Sequence, residues 1–250
     1  MLNDPAKGRR AVRVPTLRRP GAVPGSWILD FYRSNVGKKY VMAITGIILL
    51  LFVFGHMVGN LKLYAGEADM NAYGEWLRNI GYPGLPHEGA LWLVRIVLLV
   101  SVVLHIHAAT VLTLTNRKAR PVQYQSKRDY VVANYAARTM RWSGVIVAFF
   151  IIYHLLDFTF GTVNPNFVEG EPYNNVVESF QVWPIAIFYI VANLLLGLHI
   201  FHGAWSLFQS LGWNNRRFNP WRRYFAGAFS AVVVLGNISF PLAVMVGIVD

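Results

Sequence analysis

Six of the seven histidines lie inside apolar segments. They are His56 in Phe54-Gly-His-Met, His105 and His107 in Val103-Leu-His-Ile-His, His154 in Tyr153-His-Leu, and His199 and His202 in Gly197-Leu-His-Ile-Phe-His-Gly203. A histidine held in hydrocarbon is costly and is usually tied to an ion, a proton path or a metal. A hydrogen bond to a neighbouring helix accounts for any one of them alone. Four, on four different segments, point to a shared task, and the chemistry that suits opposed imidazoles in an apolar cage is axial ligation of haem iron. The expectation is a cage for two haems.

The elements that must position these side chains follow from composition. The 250-residue chain is 55% hydrophobic and 14% charged, whereas about a quarter of a globular chain is charged. Apolar runs at roughly 40–58, 91–114, 142–160, 183–211 and 224–249 each approach the ~20 residues a helix needs to cross a bilayer. The predicted fold is an all-α integral membrane bundle of five transmembrane helices. The domain division is a basic, Pro-rich inner tail over 1–25 and a five-helix haem-binding domain over 26–250.

A net charge of +11 would suggest nucleic acid in a soluble protein, but here the charge is sorted by side. With five spans, 20 of the 23 Lys and Arg fall on one face, leaving Lys62, Arg78 and Arg95 on the other, while nine of the twelve acids lie in or near the opposite segments. The positive-inside rule then puts the N-terminus inside and the C-terminus outside. The bilayer, and no nucleic acid, is the expected partner of this charge. Cysteine is absent, which excludes iron–sulfur clusters with the usual ligands and covalent haem attachment.

Along the chain, the segment from Ser26 to Lys39 is amphipathic and aromatic and is expected on the inner interface. The outer segment from Lys62 to Gly89 reads as a partly helical cap holding a surface histidine, His87. Arg95 lies a turn inside the second span, where it could snorkel outward or hold a haem propionate. Asp157 follows His154 by three residues and shares its helix face. It reads as a solvated helix-end acid, a hydrogen-bond acceptor near the haem, or a proton donor. The fifth span, lacking histidine, is expected to pack against and shield the other four.

Depth sorts the histidines. At 1.5 Å per residue from the outer end of each span, His56 and His154 lie about 8–10 Å deep, His105 roughly 21 Å and His199 about 24 Å. They form two levels about 12–15 Å apart, enough for two haems in one bundle. His107 points about 200° away from His105 and cannot serve the same iron. His202 shares nearly the same face as His199. His199 is preferred as ligand because Gly203 below it would let a porphyrin lie against the helix; His202 is the reserve, with a propionate contact as its other role.

Ser34-Asn-Val-Gly-Lys-Lys, Gly55-His-Met-Val-Gly-Asn-Leu, Leu104-His-Ile with Leu114-Thr-Asn-Arg-Lys-Ala-Arg-Pro, and His199-Ile-Phe-His-Gly-Ala-Trp-Ser-Leu-Phe-Gln-Ser-Leu-Gly together resemble the cytochrome b membrane anchor of succinate dehydrogenase and fumarate reductase. The likeness is to its single-chain, five-helix, two-haem form and covers about residues 30–225. The resemblance implies two b-type haems, with His56 and His154 on the outer iron and His105 and His199 on the inner one. It also implies a flavoprotein subunit, an iron–sulfur subunit and a membrane quinone, menaquinone or ubiquinone, as partners. Some two-haem relatives that reduce fumarate carry a glutamate two residues before the fourth-span ligand. Here that position is Gly197, so a proton path built on that carboxylate is not implied.

The function expected is the haem b anchor of a succinate:quinone oxidoreductase in a prokaryotic plasma membrane, with no succinate site in this chain. The alternatives are the cytochrome b subunit of another quinone-linked dehydrogenase and a transporter with a histidine proton relay. For the quinone, an outer site with Asp157 as proton donor competes with an inner site at Ser34 and Lys38. These two lie four apart on one helix face and resemble the polar pair at the quinone site of one-haem relatives.

Overall fold

The computed structural model describes residues 27–119, 133–213 and 215–250. The expected N-terminal tail lies outside these residues. Among them the regular structure is helical throughout: α1 (Trp27–Arg33), α2 (Asn35–Asn60), a 3-10 turn (Leu61–Ala65), α3 (Glu67–Asn79), α4 (Gly89–Lys118), α5 (Ala133–Phe158), α6 (Pro172–Gln181), α7 (Trp183–Ser210) and α8 (Asn219–Met245). Five stretches, Asn35–Ala65, Gly89–Lys118, Met140–Phe158, Trp183–Ser210 and Asn219–Met245, are long and apolar enough to cross a membrane. The chain is an all-α, multi-pass membrane protein.

Several helices overrun the apolar runs seen in sequence. α2 begins at Asn35, α4 continues to Lys118 and α8 begins at Asn219, because intrahelical hydrogen bonds persist into the interface where polar side chains are tolerated. The amphipathic lead-in is broken at Ser34. Its hydroxyl accepts from the Gly37 amide at 2.9 Å and donates to the Phe31 carbonyl at 2.6 Å, capping α2 and turning α1 back on it. A Cβ at Gly37 would collide with the Phe31 carbonyl.

The four histidine-bearing helices pack in the spatial order α4–α2–α7–α5, with α8 against α7 and, less extensively, α2. At the acidic end, the 3-10 turn, α3 and α6 form a cap. Its core of Met57, Leu63, Met70, Val177, Phe180, Tyr189, Phe240 and Val244 ties the cap to α7 and α8. α6 lies between the third and fourth apolar runs, where the sequence pattern marks no span. It is one short helix opening on Pro172, a residue suited to the first helical position, and it buries Asn175, Val177, Ser179 and Phe180.

Among the described residues α7 and α8 share the most extensive helix contact. Without a hydrophobic driving force in lipid, such contacts rely on small residues and interhelical hydrogen bonds. Here Ala186, Ala204 and Ala226 are fully buried, and Ser230 Oγ donates to the Gly197 carbonyl at 2.7 Å. A Cβ at Gly197 would run into the Val234 side chain. Gly197→Leu is therefore expected to lower stability by about 1–3 kcal/mol through overpacking, read as a lower midpoint of denaturant unfolding in detergent. Gly227→Ala, where the nearest side-chain atom is 3.8 Å from the new Cβ, should cost nothing.

Candidate functional site

Each of four histidines faces another on a helix that is not its first packing neighbour. His105 on α4 meets His199 on α7, with ring centroids 6.4 Å apart. His56 on α2 meets His154 on α5 at 5.7 Å. In the order α4–α2–α7–α5 each pair joins second neighbours, whose backbones pack far less than those of first neighbours. The first pair lies toward the basic end of the bundle and the second toward the acidic, capped end.

The other two histidine-bearing helices, α2 and α5, approach the basic-end pair from behind. Thr45 Oγ1 on α2 lies 3.1 Å from His105 Nδ1 and donates its own hydrogen to the Val41 carbonyl at 2.7 Å. A hydroxyl has one hydrogen, so Nδ1 of His105 is the donor and its Nε2 keeps the lone pair. Ser143 on α5 repeats the device. Its Oγ donates to the Met140 carbonyl at 3.0 Å and lies 3.5 Å from His199 Nδ1. Such outer partners set which imidazole nitrogen is left to bind a metal. A glycine follows each hydroxyl residue, and a Cβ there would stand 3.6 Å from the His105 ring at Gly46 and 3.3 Å from the His199 ring at Gly144. Sequence reasoning passed over Thr45 and Ser143. The signal was the matching hydroxyl-glycine steps Thr45-Gly46 and Ser143-Gly144 on two apolar helices.

The acidic-end pair is held by aromatic rings instead. Phe52 stacks on His56 at 5.3 Å, and Phe150, Phe158 and Tyr189 surround His154 at 5.8, 5.4 and 6.0 Å. One turn on, Asp157 is fully buried, which corrects the reading of it as a solvated helix-end acid. α6 covers it. Ser179 Oγ and Tyr189 Oη donate to Asp157 Oδ2 at 2.9 and 2.8 Å. Asp157 Oδ1 and His154 Nδ1 are both buried without a hydrogen-bond partner among the described residues.

The remaining candidates are dispersed. His202 Nδ1 is buried without a hydrogen-bond partner among the described residues, and its ring lies 6.4 Å from Trp205. His107 stacks on Tyr32 of α1 and shares a short hydrogen bond with its hydroxyl. His87 is exposed against Tyr82. Arg95 pairs with Glu88 at 3.6 Å and lies over the Trp92 ring at 4.9 Å, while Arg78 reaches the same carboxylate at 3.4 Å. Ser34 is committed to the α1–α2 corner. Lys38 is buried there, donating to the Arg33 carbonyl at 2.5 Å.

Among the described residues no three His, Cys, Asp or Glu side chains converge on one point. Each histidine pair offers two nitrogens, a set that suits a metal arriving with its equatorial donors already in place, as haem iron does. Imidazole nitrogens about 2 Å from a metal on either side hold their rings roughly 6 Å apart by centroid, close to the separations here. The separation within each pair is compatible with one such group.

The family model for the succinate dehydrogenase/fumarate reductase transmembrane subunit matches residues 116–238. The matched stretch runs from the end of α4 into α8 and includes His154, Asp157, His199 and His202. No curated protein and no solved structure matches the chain.

The Asp157 seat yields a test of its own. Hydrogen bonds between membrane helices average about 0.6 kcal/mol and reach ~1.7 kcal/mol in double-mutant cycles. A cycle of Asp157→Asn with Tyr189→Phe, followed by unfolding in detergent, is expected to give a coupling in the upper half of that range. A coupling indistinguishable from zero would mean the contact contributes nothing.

Proposed function

The chain belongs to the succinate dehydrogenase/fumarate reductase transmembrane subunit family, and on that premise we propose that it is the haem b anchor through which such a complex exchanges electrons with membrane quinone. The observation that carries this reading is the pair of opposed imidazoles at each of two levels of one bundle. Bound between them, two b-type haems would supply one-electron transfer from the side of the iron–sulfur and flavoprotein subunits toward the far side. By charge sorting, the basic end faces the inside of a prokaryotic plasma membrane and receives the soluble subunits.

The chain's own residues have distinct tasks in this scheme. His105 and His199 present Nε2 because Thr45 and Ser143 occupy Nδ1. His56 and His154 are oriented by aromatic packing. His202, with its buried Nδ1, is the reserve contact for a propionate, whereas Arg95 is engaged by Glu88 and Trp92 at the rim. A relay transporter has no need of rings opposed in pairs at metal-binding separation, which favours the redox reading.

Quinone reduction consumes two protons with two electrons. We place the quinone site at the acidic end, where Asp157 Oδ1 is buried without a partner among the described residues one turn from His154 and is suited to hydrogen-bond a quinone oxygen and pass it a proton. At the other end Ser34 and Lys38 already engage backbone carbonyls.

Two measurements check the proposal. The purified chain should carry two b haems. His56→Ala and His154→Ala should each abolish the same one, and His105→Ala and His199→Ala the other. Loss of the basic-end haem in His202→Ala with retention in His199→Ala would reverse the ligand choice. In the assembled complex, with haem content normal, Asp157→Asn should cut succinate-driven quinone reduction by about 10²-fold or more, the usual contribution of a positioned proton donor. Ser34→Ala and Lys38→Ala should leave it within severalfold, and the opposite pattern would move the site to the basic end.

A further inference from the structure

An open cleft of about 1010 Å³ lies between the ends of α7 and α8 at the basic side of the bundle. One wall is Phe201, Trp205 and Gln209, successive turns of one face of α7; the other includes Arg216, Asn219, Arg222, Arg223 and Tyr224, with Gly227 and Ala228 deeper along α8. The Phe201 face points away from His199, two residues earlier and so about 200° around the helix. The cleft is therefore not the opening of either histidine pair.

Its polarity is graded. Three arginines stand at the mouth, and none of the described residues that line it is acidic. Arg222 is 3% exposed and is oriented by a short hydrogen bond from its Nη2 to Asn219 Oδ1. Arginine forks match phosphate oxygens, and arginine is the cation most readily held in a partly desolvated site. Below the mouth the walls become apolar, and Trp205 and Tyr224 lie at the change, the usual level of aromatic side chains in a membrane interface. A basic mouth above an apolar slot between two membrane helices has the chemistry of a phospholipid site.

We propose that this cleft binds the phosphate headgroup of an anionic phospholipid, with an acyl chain lying along Phe201, Gly227 and Ala228. The gradient decides among anions. A free phosphate would use the arginines but leave the apolar half of the cleft unmatched. An acidic segment of a soluble subunit would not reach below the interface. The site lies on the α8 side of α7, so its occupancy would brace the helix pair that carries His199.

The test uses the full chain in nanodiscs of phosphatidylcholine, alone or doped with phosphatidylglycerol, and reads retained lipid by native mass spectrometry and unfolding by thermal midpoint. Wild type should retain phosphatidylglycerol preferentially and unfold at higher temperature with it. Each arginine beside an anionic lipid is worth about fivefold in affinity, so Arg216→Gln with Arg223→Gln should weaken retention roughly 30-fold. Ala228→Trp, which fills the apolar slot without altering charge, should also weaken it and covers the case in which the arginine variant fails to fold. Equal retention of phosphatidylcholine, or unchanged retention in both variants, overturns the proposal. So does full stabilisation by inorganic phosphate in phosphatidylcholine discs, which would assign the arginines to a soluble anion. Loss of the soluble subunits from the purified complex with lipid retention intact would instead assign the cleft to a protein partner and overturn it equally.

Discussion

Inside a bilayer every polar group must find its partner within the protein, and the arrangement of this bundle follows from that demand. Thr45 and Ser143 satisfy their hydroxyls on their own helices and turn the remaining lone pairs to His105 and His199. Ser206 and Ser210 bond back to carbonyls of α7. Asp157 is admitted to the interior only because α6 and α7 bring it two hydroxyls. Once those partnerships are counted, the buried polar atoms left over at the centre are few. Among the described residues they include His154 Nδ1, His202 Nδ1 and Asp157 Oδ1, on or one turn from the histidines.

Much of this was legible in the sequence because two simple rules act in membranes. Hydrophobic length identified the five spans, and rise per residue sorted His56 with His154 and His105 with His199 into two levels, the same residues that face one another in the fold. Depth says nothing of azimuth, however. It could not show that each pair joins helices that are not first packing neighbours, nor that Thr45 and Ser143 stand behind the rings, since a hydroxyl in an apolar run looks the same whether it bonds its own backbone or also a neighbour. Of the three readings open for Asp157, the solvated one fails because a position near a helix end was measured without α6. A ten-residue helix opening on Pro172 leaves too short a pattern to distinguish from a loop, yet its Ser179 is what makes the carboxylate internal.

The two levels differ in how their rings are fixed. Near the basic end, hydroxyls of α2 and α5 stand against Nδ1 of the rings, and Gly46 and Gly144 leave room for them. Near the acidic end, aromatic packing fixes orientation and leaves His154 Nδ1 without a hydrogen-bond partner among the described residues. Imidazoles backed by hydroxyl acceptors are more electron-rich ligands than those packed on hydrocarbon. Two iron centres held at these levels would therefore differ in electronic environment through the protein alone, with the basic-end pair the better donor set.

The packing of α7 on α8 also bears on protons. A carboxylate at position 197 would project into Val234, and the Gly197 carbonyl already accepts from Ser230. The contact that brings α8 against α7 thus excludes an acid beside the His199 level. Among the described residues Asp157 is the one buried carboxylate, and it stands one turn from His154 at the other level. If electrons cross the bundle between the two pairs, the group able to join them with a proton lies at the acidic end, on the side opposite the basic residues. Close helix packing at one level and a capped acid at the other thus keep the buried carboxylate of the described residues apart from the His199 level.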